Sequence, residues 1–320
     1  MIRNIYHLSL FIIAACGYWL LSDATSHAQD MHQVDPSLNY ATGKAETCLV
    51  CHRNGGLVPA EDVLKSPHGI TANPSSPFAE SQRDCQTCHG PSADHLRMGA
   101  DGKRPSPAIT FNQARAADVK NQVCIGCHQS DVGQEWHGGV HQFEQLSCHN
   151  CHQIHISSDP ILNANQQATV CFSCHQQQRA ELLRQSAHPV DRGLLGCGDC
   201  HAPHGGNSST GMLKKANVNE LCYDCHAEKR GPLLWEHVPV REECTNCHLP
   251  HGSNHNNLLV ARTPFLCQQC HLAQFHPSTS FSGDDIPPNG ASRLLLNRNC
   301  MNCHSQIHGS NHPSGSGLIR

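Results

Sequence analysis

One pentapeptide, Cys-x-x-Cys-His, recurs ten times along the 320 residues and constrains the chain more than any other feature. It reads CLVCH at 48–52, CQTCH at 85–89, CIGCH at 124–128, CHNCH at 148–152 and CFSCH at 171–175. It continues as CGDCH at 197–201, CYDCH at 222–226, CTNCH at 244–248, CQQCH at 267–271 and CMNCH at 300–304. These copies use 20 of the 21 cysteines. Two thiols three positions apart on a helical turn can add to the two vinyl groups of one porphyrin, and the next histidine then meets the iron. Paired Cys-x-x-Cys also builds zinc ribbons, but zinc gains nothing from a histidine fixed after every second cysteine. A disulfide framework fits worse, since cysteines so close bridge poorly and leave the histidines unexplained.

The reading is therefore ten covalent haem c groups. Their thioether sulfurs come from Cys48, Cys51, Cys85, Cys88, Cys124, Cys127, Cys148, Cys151, Cys171 and Cys174, and from Cys197, Cys200, Cys222, Cys225, Cys244, Cys247, Cys267, Cys270, Cys300 and Cys303. The proximal iron ligands are His52, His89, His128, His152, His175, His201, His226, His248, His271 and His304.

A chain with 5% aromatics, 25 glycines and 19 prolines cannot build a large conventional core. With ten haems attached, the porphyrins take that place, and each thioether staples the backbone as disulfides or metals do in small scaffolds. The expected fold is a multihaem cytochrome c. Irregular coil and short α-helices surround a linear array of haems, with little or no β structure. Helices are expected at the motifs, as over 178–186 and 218–228. Turns are expected at Pro203 and Pro250, loops in the HG(S/G)N segments, and irregular chain over 53–83, 91–120 and 277–299.

Spacings between first cysteines run 37, 39, 24, 23, 26, 25, 22, 23 and 33, a period near 24 with insertions at the ends. Such a period marks repeats stacked in a row. The repeat is a pair: a motif, an inner histidine, a second motif, and a trailing histidine. Five two-haem units span about 48–95, 124–155, 171–204, 222–251 and 267–308 of a domain at 29–320. The inner histidines are His68, His137, His188, His237 and His276; the trailing ones are His95, His155, His204, His251 and His308. These ten are the candidate distal ligands, with His141 as competitor to His137. His32, His149, His255 and His312 are expected to face solvent. Methionines are too few for general methionine ligation.

Ligands on opposite faces of one haem have Cα atoms about 12 Å apart, whereas three residues span at most ~10–11 Å. His155, His204 and His251, three residues after a motif histidine, must therefore serve neighbouring haems. An inner histidine such as His237, 11 residues past His226, can reach the haem of the preceding motif.

Arg3, an apolar run at 5–21 and Ser26-His27-Ala28 read as a secretory signal peptide at 1–28. The alternative is a lipoprotein signal with Cys16 acylated, although Gly17-Tyr18-Trp19 is an apolar sequel for such a site. Export agrees with haem attachment outside the cytoplasm. A formal charge of −4 argues against a nucleic-acid partner.

The ten motifs, the CHxPHG-type trailing histidines and this length resemble the periplasmic decahaem cytochromes of the MtrA/DmsE type, with the relatives MtoA and PioA. The resemblance runs from Cys48 to His308. It implies an elongated, bis-histidine haem wire seated partly inside an outer-membrane β-barrel porin. The wire would link periplasmic or inner-membrane electron carriers with the outside, where an extracellular cytochrome can continue it, in metal or iron reduction or oxidation. Two other functions compete. A soluble periplasmic shuttle needs no porin. A multihaem reductase needs an iron with a free face, often marked by CxxCK, which the sequence lacks. The chain is expected to be no enzyme.

Overall fold

The computed structural model describes residues 39–56, 58–206, 211–271 and 299–319. Among them short helices and turns are joined by irregular chain, and extended pairing is limited to isolated bridges. The multihaem fold class expected from the motifs is what is found.

First motifs of a pair close an α-helix, as in Ala45–His52, Ala117–Ile125, Ala164–Cys171, Val218–Tyr223 and Phe265–Gln268. Second motifs form a single turn, at Cys85–His89, Cys148–Asn150, Cys197–Cys200, Cys244–Asn246 and Cys300–Asn302. Both build the same local geometry. The motif histidine N–H donates to the first cysteine carbonyl, for example His152 to Cys148 and His226 to Cys222, both at 2.9 Å. That i to i+4 closure puts both sulfurs and the ring on one side of the turn. Polar caps start several of these elements. The Asn217 side chain accepts from Glu220 N–H at 2.9 Å, and the Asn150 side chain accepts from Ser147 N–H at 2.7 Å.

The helix expected over 218–228 ends at Tyr223, and the chain resumes as a 3₁₀ turn, Ala227–Lys229, after His226 leaves helical geometry. The helix expected over 178–186 is Gln176–Leu182. Among the described residues of 53–83 the helical elements are the 3₁₀ turns Glu61–Lys65 and Pro67–Gly69, while the helix Ala117–Ile125 enters the end of the 91–120 segment. Of 277–299, only Asn299 lies within the described residues.

Amide side chains bind the two motifs of a pair together. Asn121, buried, donates to Leu146 carbonyl at 3.1 Å and accepts from Cys148 N–H at 2.9 Å. Asn219 repeats this one unit further on, donating to Val240 and Arg241 carbonyls and accepting from Cys244 N–H at 2.8 Å. Gln167 accepts from Gly198 N–H at 2.8 Å to the same end.

Successive pairs are joined by short antiparallel bridges, Ser186 with Ser253 and Trp235 with Ser310. The glycine that follows His204, His251 and His308 permits this approach. A Cβ on Gly252 would collide with the Glu181 carbonyl oxygen, and one on Gly205 with that of Glu135.

Protein atoms supply little core. The buried apolar residues described are Ala45, Val63, Ala79, Ala117, Ile125, Trp136 and Ala168, four of them alanine. Large side chains stay open along the chain, Phe143 at 74% and Leu162 at 76% exposure among them. No described helix is long and apolar enough to cross a membrane.

Candidate haem sites

Histidine rings face each other in eight pairs among the described residues, with centres 5.9–6.2 Å apart. The pairs are His52 with His95, His128 with His68, His89 with His155, and His175 with His141. The others are His152 with His204, His201 with His251, His271 with His237, and His248 with His308. A metal sits about 2 Å from an imidazole nitrogen and the ring centre lies about 1 Å further back, so two rings flanking one metal stand about 6 Å apart. The observed separations have that value. Each pair contains one motif histidine and one further histidine, which comes from the inner or trailing set in seven pairs and is His141 in the eighth.

Two placements, those of His137 and His149, differ from the sequence expectation, and a further one, that of His237, falls where the sequence left the choice of haem open. His137 faces no motif histidine; it is exposed beside Gln142, and His141 takes the position opposite His175. The reason is the inter-unit bridge. His141 Nδ1 bonds Pro203 carbonyl at 2.9 Å, as His188 Nδ1 bonds Pro250 carbonyl at 2.8 Å and His237 Nδ1 bonds Ile307 carbonyl at 3.0 Å. All three carbonyls belong to the residue just before a trailing histidine, which makes His141 the counterpart of His188 and His237. His237 faces His271 rather than the preceding His226. His149 is not solvent-facing. Its ring packs edge-on against Phe111 at 5.6 Å, its Nδ1 is buried without a partner, and burial pushes its pKa down. His255 is likewise half-buried, while His312 is exposed. His32, His276, Cys16 and the segment 1–28 lie outside the described residues.

The trailing histidines face motifs of the preceding unit. His155 meets His89, His204 meets His152, His251 meets His201 and His308 meets His248. The inner ones reach the first motif of the next unit, as His68 does with His128 and His237 with His271. His95 alone of the described set stays in its own unit, opposite His52.

Nδ1 partners orient the rings. His52, His89, His201, His248 and His304 meet the carbonyls of Val58, Ile109, Gly211, Asn257 and Gly317 at 2.6–3.1 Å. A carbonyl accepts the Nδ1 proton, which leaves Nε2 as the free lone pair a metal needs. Burial lowers the pKa of His68, His89, His155, His204, His237, His251 and His308, favouring the neutral ligating form.

The sulfurs place the sites in sequence. Within a unit the first cysteines touch. A hydrogen bond from Cys85 draws Cys48 down to about 7, and those from Cys124 and Cys171 do the same to Cys148 and Cys197. The donating thiol of each couple is correspondingly harder to ionise. Burial, then the neighbouring Cys244, pushes Cys222 up to about 12; burial, then Cys300, pushes Cys267 up to about 11. Between units the second cysteines interact: Cys88 with Cys127, Cys151 with Cys174, Cys200 with Cys225, and Cys247 with Cys270. These two kinds of neighbour relation alternate along the chain and run through all ten motifs in order.

These residues fit haem c. Each motif turn presents two thiols and an imidazole on one side, and in eight pairs a second imidazole stands at metal-bridging distance. Buried donors without protein partners, Trp136 Nε1 and Trp235 Nε1, suit a polar edge such as a propionate.

Fold and sites define a multihaem c-type cytochrome that transfers electrons. The family described as doubled CXXCH motif matches residues 188–231 and 237–275, and the family of cytochrome c-type protein NrfB-like matches 85–168. The chain is 43% identical over 286 residues to the multiheme cytochrome MtrA of Shewanella baltica (strain OS185), covering 88% of this chain and 83% of that one. It is 26% identical over 181 residues to the cytochrome c-type protein NrfB of Haemophilus influenzae (strain ATCC 51907 / DSM 11121 / KW20 / Rd), covering 50% of this chain and 80% of that protein. The chain belongs to the MtrA family of multihaem cytochromes.

Proposed function

We propose that the chain is an exported, periplasmic decahaem conduit that carries electrons through ten bis-histidine haems in sequence order. The facing histidine rings at about 6 Å carry this reading, since an iron held from both sides has no open face for a substrate. The chemistry of electron transfer belongs to haem c; the protein supplies position, spacing and tuning.

In this reading the eight observed pairs are the axial ligands of eight haems. His188 completes the haem of His226, because it carries the same Nδ1 clamp as His141 and His237. His276 is left for the haem of His304. Each unit is braced to its neighbours through iron, which compensates for the scarce apolar core. Five two-haem units form one wire in the domain at 29–320, after a signal peptide cleaved after Ala28. Family membership supports a proposed set of partners: a β-barrel porin of the outer membrane, periplasmic or inner-membrane donor cytochromes, and an extracellular acceptor or donor.

The test uses mature holoprotein. Intact mass and pyridine haemochrome analysis should give ten haems. Electron paramagnetic resonance of the oxidised protein should show low-spin iron throughout. Eight or fewer haems, or a stoichiometric high-spin haem that binds nitrite or sulfite, overturns the assignment in favour of a reductase.

A further inference from the structure

We propose that Asp159 sets the reduction potential of the haem held by His152 and His204, making it a low-potential site in the middle of the wire. This inference rests on the axial assignment above. The observation is a difference in the partner of Nδ1. His52, His89, His201, His248 and His304 give that proton to neutral backbone carbonyls. His152 gives it to a carboxylate, Asp159 Oδ2, at 2.7 Å.

The Asp159 carboxylate is fixed in place. Its side chain is 12% exposed. Its second oxygen, Oδ1, accepts from Gln153 N–H at 3.2 Å and from Ile161 N–H at 3.4 Å, capping the turn Pro160–Leu162. The following Pro160 restricts the backbone of Asp159 to extended geometry, and its φ of −73° and ψ of 120° agree. Turn and proline together hold the acid against the ring.

A carboxylate at Nδ1 draws the proton toward itself and gives the ring imidazolate character, so Nε2 donates more strongly to iron. Ferric iron carries one more positive charge than ferrous iron, and it gains more from both the stronger donor and the nearby negative charge. The potential of this haem therefore falls below that of an otherwise equal site with a carbonyl partner. Glu181 stands near His251 Nδ1 at 3.4 Å, a longer and weaker version of the same contact at the His201 site. Electrons crossing the wire meet a step at the His152 haem whichever way they run.

The test compares wild type with Asp159→Asn by spectroelectrochemical titration of holoprotein. Asparagine retains an oxygen for the Gln153 and Ile161 amides but removes the charge. The expected result is a difference curve equal to one haem moving to higher potential, with the other nine unmoved. Asp159→Glu, which keeps a carboxylate, should return the curve toward wild type, and Glu181→Gln should produce a smaller upward move. A second measurement needs no variant. In wild type labelled with ¹³C-aspartate, the electrochemical infrared difference spectrum should contain an ionised carboxylate band that changes as haem is reduced. Unchanged potentials in Asp159→Asn, with ten low-spin haems retained, overturn the inference and leave the wire standing. Absence of any aspartate band has the same consequence. Loss of the low-spin count in wild type sinks the axial assignment itself.

Discussion

His141 and His175 face each other with ring centres 6.2 Å apart although they belong to successive motif pairs. The Nδ1 bond from His141 to Pro203 carbonyl, at 2.9 Å, fixes the ring from the far side. Replacing His141 with alanine should expose one iron. A single high-spin haem that binds carbon monoxide when reduced is expected, with covalent attachment at Cys171 and Cys174 retained. His137→Ala should leave all haems low-spin. The comparison of the two variants by electron paramagnetic resonance decides between the two histidines directly.

Ring orientation divides the sites into two groups. His68 with His128 and His141 with His175 cross at 83° and 64°. His152 with His204 and His248 with His308 lie near parallel, both at 15°. Crossed imidazole planes leave the iron π orbitals nearly degenerate, whereas parallel planes split them. The oxidised protein should therefore show two low-spin classes, a strongly anisotropic one from the crossed sites and a rhombic one from the parallel sites. His141→Ala should reduce the first class and leave the second intact.

Asn219 offers a test of what holds a motif pair together. Its side chain reaches the carbonyls of Val240 and Arg241 and the N–H of Cys244. Alanine there removes three hydrogen bonds to part-buried and exposed backbone groups, at a cost of about 1 kcal/mol. The thermal unfolding midpoint of the holoprotein should shift down while mass still shows every haem. Asn219→Asp keeps the acceptor for Cys244 but not the donor, and should fall between.

Much of this was legible in the residues, for reasons that differ from site to site. The motif turn is local, so Cys148 and His152 close the same turn from the spacing alone. Chain length decides the trailing histidines: His204 is too near His201 to stand across one haem from it, and it faces His152. Inner histidines gave no such limit. Eleven residues from His226 to His237 allow a return to the same haem, yet His237 faces His271 because its Nδ1 is held by Ile307 carbonyl. That clamp spans 70 residues and leaves no local pattern. One signal did exist for His141. It stands seven residues before the next motif, at Cys148, as His237 stands seven before Cys244, while His137 stands eleven before. Asp159 beside His152 had none, since a single aspartate before a proline reads as a turn.

The last prediction concerns the porin. The 292 residues of the proposed mature chain, 29–320, must serve ten haems. The buried apolar set described is small and mostly alanine, and Leu183 and Leu194 remain 73% and 72% exposed. Polypeptide on this scale leaves porphyrin edges near the surface. Edges at the two ends serve exchange with other carriers, but edges along the middle would lose electrons to oxygen unless covered. A closed barrel supplies both the cover and the crossing, because it satisfies its own backbone in lipid and can enclose a polar plug. Gentle detergent extraction of outer membranes, followed by affinity purification of the cytochrome, should recover a β-barrel in a stoichiometric complex. Cross-linking should place that barrel along the middle of the wire, and reoxidation of the reduced complex by oxygen should be slower than that of the free cytochrome. Recovery of the cytochrome alone from the periplasmic fraction, with no barrel cross-linked to it, would favour a soluble shuttle.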